Sequence, residues 1–131
     1  MMTELFGEPI YTYTRAQAVE DGYQMLLTGK DAQAAREVGY KWPVYLTTEV
    51  VDLISRAVEN PRWSSDWDGI LWDILWMSRR ASQSVNEYTS KFQVIINGAG
   101  RKRYYDFVIQ CRPTDIDNPA PALTIMFLDE E

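Results

Sequence analysis

Apolar side chains recur at helical spacing most persistently between Ser64 and Ala81. Trp67, Ile70, Leu71, Ile74, Leu75, Met77 and Ala81 share one broad face at ~100° per residue. Ser64 or Ser65 can cap the start, Asp66 and Asp68 suit the positive end of the helix dipole, and Arg79 and Arg80 stand where cations are favoured. The spacing predicts a helix over about 65–82. Trp72 and Trp76, one turn apart, point almost opposite to Ile70 and Ile74 and make a second apolar strip. A helix apolar on two sides is expected to be central, with something packed on both.

Upstream, Glu4 to Tyr13 reads as extended or turn-like, because Gly7 and Pro9 discourage helix. Thr14-Arg15-Ala16-Gln17 has the spacing of a capping box, and the short helix it opens stops at Asp21-Gly22. Tyr23 to Thr28 fits strand or loop. Lys30 to Val38 is alanine-rich and helical, closed by Gly39. Proline at 43 keeps Trp42 out of a helix, and Val44-Tyr45-Leu46 makes a short strand. Thr47 or Thr48 caps the next helix, in which Val50, Val51, Ile54, Ala57 and Val58 recur until Asn60-Pro61.

Downstream, Gln83 to Asn86 is polar and turn-like. The period then changes to two. Phe92, Val94 and Ile96 alternate with Lys91, Gln93 and Ile95, and after the turn Asn97 to Gly100 the return strand carries Tyr105, Phe107, Ile109 and Cys111 on one face. A proline-rich loop, Arg112 to Pro121, leads to a last strand with Leu123, Ile125 and Phe127. The order implies an α+β fold: a layer of four helices, the tryptophan-rich one central, on a mainly antiparallel sheet ending in a three-stranded meander.

Composition narrows this picture. A chain of 131 residues with no linker is expected to be one domain, 1–131, burying roughly two-thirds of its unfolded surface. Five tryptophans and eight tyrosines let few residues build the core. A net charge of −6 opposes broad binding to nucleic acid or anionic membrane and leaves open a basic protein partner, or mimicry of nucleic-acid charge. The single Cys111, with no leader and no run of ~18 apolar residues, fits a soluble cytoplasmic protein.

Catalytic chemistry is sparse. The absence of histidine removes Ser–His and Cys–His systems and most zinc sites, so neither metal nor cofactor is expected. Cys111 reads as a small buried hydrophobe. Asp66 and Asp68 serve the helix start, and Asp73 pairs with Arg80 unless a neighbouring tryptophan turns it into an acid. Asp115, Asp117 and Asn118 lack the calcium-loop spacing and read as a turn. Gly98-Ala99-Gly100 followed by Arg101, Lys102 and Arg103 is a candidate anion contact, although such basic tips are usually solvated turns. Trp72 and Trp76 are expected to lie beneath Phe6, Tyr11 or Tyr13, or beneath the helix beginning near Thr47. The alternative is a partner-binding surface with Arg79 and Arg80 alongside.

Glu4 to Gly22, Ala35 to Val44, Asp68-Gly-Ile-Leu-Trp-Asp-Ile-Leu-Trp-Met77 and Ala122 to Phe127 together resemble an uncharacterised family of small bacterial proteins carried by plasmids and phages. That family has no assigned activity, so no catalytic residue is carried over. The resemblance implies a small non-enzymatic accessory protein of a mobile element that binds a host protein, such as an inhibitor of a host defence system. A carboxylate-based enzyme or ligand sensor, and a nucleic-acid binder acting through the basic hairpin tip, are the alternatives.

Overall fold

The computed structural model describes residues 13–130. The helices are α1 (Arg15–Glu20), α2 (Gly29–Glu37), α3 (Thr48–Glu59) and α4 (Trp67–Arg79). Local chemistry explains most of their ends. Thr14 and Gln17 form the predicted capping box, and α1 stops at Asp21 before Gly22, whose φ of 83° suits glycine. Gly39, at φ 113°, closes α2. At α4 the cap is Asp66, not a serine: its Oδ1 accepts the Gly69 N–H at 2.8 Å. Thr47 stands at the N-cap position of α3, but its hydroxyl donates to Glu130 instead of serving the helix.

The strands are β1 (Gln24–Leu26), β2 (Val44–Thr47), β3 (Gln83–Asn86), β4 (Thr89–Ile95), β5 (Tyr104–Asp115) and β6 (Asn118–Phe127). They form one sheet in the order β1-β2-β6-β5-β4-β3. All neighbours are antiparallel except β2 and β6, which run parallel. The α+β architecture and the β4-β5-β6 meander are as the periodicity predicts.

Two segments differ. Gln83 to Asn86 is an edge strand, not a turn; every residue in it is exposed, so it carries no alternation to read. Most of Arg112 to Pro121 is a hairpin that extends β5 and β6. The opposed pair Pro113 and Pro121 can exchange no N–H bond, and Thr114 Oγ1 donates to Ala120 O at 2.6 Å. Because β4 pairs with β5 no further than Gln110, these prolines block no ladder on that side.

The core lies between the sheet and α2, α3 and α4. Val50, Leu53, Ile54 and Ala57 of α3 meet Ile70, Leu71, Ile74 and Leu75 of α4 over Val44, Leu46, Phe107 and Ile125. Phe92, Phe107 and Phe127, cross-strand partners in the meander, stack with centroids 5.4 and 5.1 Å apart. Met77, expected in the core stripe, is exposed. Cys111 is exposed as well, one position beyond the end of β4, where it borders a shallow cavity beside Arg79 and Tyr88. The opposite sheet face, which carries Tyr45, Val108 and Thr124, receives α1 through Arg15. No helix among the described residues is long and apolar enough to cross a membrane.

Candidate functional site

Helix α4 is held on two sides. Toward α2, Trp67 Nε1 donates to Asp31 Oδ1 at 3.1 Å, and Tyr40 donates to Ser78 Oγ at 2.6 Å while Ser78 donates to Leu75 O. Burial of that tyrosine raises its pKa. Toward α3 and the sheet, Ile70 and Ile74 enter the core. What remains outside is the Trp72–Trp76 strip. The two rings stack, with centroids 6.3 Å apart and planes 15° apart. Trp72 is half-buried against the core, and Trp76 is 45% exposed.

The expected burial of both indoles is therefore corrected. Tyr13 cannot shield them: its ring meets Tyr23 edge-on and its hydroxyl donates to Asp21 at 2.7 Å, beside α1. Phe6 and Tyr11 lie outside the described residues. The helix beginning near Thr47 packs on the core side of α4. A helical wheel gives the direction of Trp76, not what lies over it.

The two arginines beside the strip divide. Arg79 Nε donates to Val38 O at 3.1 Å and its guanidinium lies 5.3 Å from the Tyr40 ring, so it ties α4 to the end of α2. A Cβ at Gly39 would come within 3.0 Å of Arg79 Nη2, so the glycine makes room for this tie. The Arg80 guanidinium lies 5.7 Å from the Trp76 ring and has no hydrogen bond or ion pair among the described residues. Asp73 does not pair with it; that carboxylate has no ion pair among the described residues, and desolvation raises its pKa. Asp68 pairs instead with Lys30 at 3.1 Å on the surface.

At the hairpin tip the cations go to different neighbours. Arg103 Nε donates to Asn97 Oδ1 at 3.0 Å, Lys102 lies over Tyr105, and Arg101 borders a shallow cavity with Arg56 and Asn60. Among the described residues no group of three acidic or cysteine side chains is placed to hold a metal.

A site that the periodicity does not signal lies on the opposite sheet face. A cavity of about 730 Å³ opens between α1 and the β5–β6 hairpin. Arg15 reaches into this region half-buried, donating from Nε to Thr114 O at 2.8 Å and from Nη1 to Gln24 Oε1 at 3.0 Å and Thr124 Oγ1 at 2.8 Å. Its guanidinium stacks 4.3 Å from the Tyr45 ring, and burial lowers its pKa. In the sequence, Thr14-Arg15-Ala16-Gln17 signals only a helix start. No protein-family model, curated protein or solved structure matches the chain.

Proposed function

We propose that the protein is a small, non-enzymatic, cytoplasmic binding protein that docks a protein partner on the Trp72–Trp76 strip. The observation that carries this reading is Trp76, a large ring left 45% exposed on a helix whose other face is buried in the core, stacked on Trp72 and topped by Arg80. Tryptophan and arginine dominate binding hot spots because they combine large contact area with directional polar groups. Met77, also exposed, extends the apolar surface. Arg80 has no acidic partner among the described residues, so the matching surface is an apolar patch bordered by a carboxylate. The resemblance to small proteins of plasmids and phages supports a host protein as the partner and restraint of a host defence system as the purpose.

Affinity capture from host lysate with the wild type, Trp76→Ala and Arg80→Ala tests this. One protein retained by the wild type and lost by both variants, with folding unchanged, is expected. Identical capture by all three overturns the docking face. Self-association that vanishes in Trp76→Ala would reassign the strip to a homodimer.

A further inference from the structure

We propose that the cleft between α1 and the β5–β6 hairpin binds a small organic oxyanion, with a carboxylate or phosphate group seated on the Arg15 guanidinium. Arg15 is a half-buried cation with no carboxylate within ion-pair distance among the described residues. Withdrawing a charge from water is costly unless a counter-charge compensates it, and here the groups in contact with the guanidinium are neutral, a carbonyl, an amide oxygen, a hydroxyl and the face of Tyr45, while Asp115 attracts it only from beyond ion-pair distance. Those contacts fix the plane of the guanidinium. They engage Nε and Nη1 and leave Nη2 without a partner among the described residues. A planar, immobilised guanidinium with free N–H groups suits the oxygens of a carboxylate or phosphate.

The surroundings agree. Arg112 borders the same cavity; its guanidinium lies 4.4 Å from the Tyr88 ring and also lacks an ion pair among the described residues. Two acids border the cavity, but both are engaged by donors of the fold. Asp115 accepts the N–H groups of Arg15, Ala16 and Ile116, and Glu130 Oε2 accepts from Thr47 Oγ1 and from the Phe127 N–H. At about 730 Å³ the cavity matches pockets that take small molecules. This site is independent of the tryptophan strip and stands or falls without it.

Calorimetric titration of the full chain with inorganic phosphate, and separately with succinate, tests the proposal. Binding of either probe with a Kd below about 1 mM is expected. Arg15→Lys, which loses the planar fork, should weaken that binding by about tenfold or more. Arg112→Gln, which changes a surface side chain, should weaken it several-fold and keeps the test valid if Arg15→Lys does not fold. Phosphate alone binding assigns a phosphate ester, succinate alone assigns a carboxylate metabolite, and both together assign a general oxyanion seat. No heat from either probe at about 10 mM overturns the proposal, as does binding unchanged by Arg112→Gln.

Discussion

Asp115 accepts the backbone N–H of Arg15 through Oδ1 at 3.2 Å, although the two residues stand 100 positions apart in the chain. Its Oδ2 accepts the next N–H, of Ala16, at 3.1 Å, so the tip of the β5–β6 hairpin completes the first turn of α1. Those N–H bonds, with that of Ile116, hold the carboxyl below its ordinary value. A carboxylate depressed in the folded state stabilises it above the unfolded value of about 3.9, and this is lost as pH falls through the folded value. Asp115→Asn should therefore be less stable than wild type at pH 7, with the gap closing below about pH 4. Urea denaturation across pH checks this; a gap constant down to pH ~2 would show that the charge contributes nothing.

Ile74 is fully buried where α3, α4 and the sheet meet. Truncating it to alanine should cost about 2–5 kcal/mol, the transfer term plus the cavity left behind. A shift below about 1 kcal/mol in chemical denaturation would mean that the layer collapses into the gap.

Gly98 and Gly100 belong to the same turn and should respond differently. Gly98 has φ 93°, and a Cβ there would lie 2.8 Å from Trp63 Cδ1. Gly98→Val should destabilise by about 1–3 kcal/mol from backbone strain, with a further steric part. Gly100 has no positive φ, and its Cβ would meet only the Tyr105 hydroxyl at 3.6 Å. Gly100→Ala should stay within about 0.5 kcal/mol. Thermal melts of both variants side by side read the difference.

Thr89 Oγ1 is buried and has no hydrogen-bond partner among the described residues. Replacing a buried, unsatisfied hydroxyl by a methyl group of the same shape removes a desolvation penalty of about 1–3 kcal/mol. Valine also suits a strand. Thr89→Val should raise the melting temperature; a lower one would show that the hydroxyl is satisfied in solution.

Much of the helical layer was legible because its signals are local. The stripe Ile70, Leu71, Ile74, Leu75 and the alternation Phe92, Val94 each report their own element. Edge strand β3 was not legible, since a strand exposed on both faces has no apolar period. Prolines in Arg112 to Pro121 read as loop because the chain pattern does not say that β4 ends opposite Gln110. The Arg15 cleft was hidden for a different reason. Its acceptors Gln24, Thr114 and Thr124 lie 9, 99 and 109 positions away, and no spacing rule spans such distances.

Strand β6, made last of the six, sits between β2 and β5 and, among the described residues, alone bridges the two halves of the sheet. During synthesis, β1 and β2 can form their hairpin early, and β3, β4 and β5 can follow. Neither group has a neighbour to join until residues 118–127 have left the ribosome. Apolar α3 and α4 must wait through that interval with their sheet unfinished. The parallel β2–β6 pair joins residues roughly eighty positions apart, the kind of long-range pairing whose loop-closure entropy slows folding.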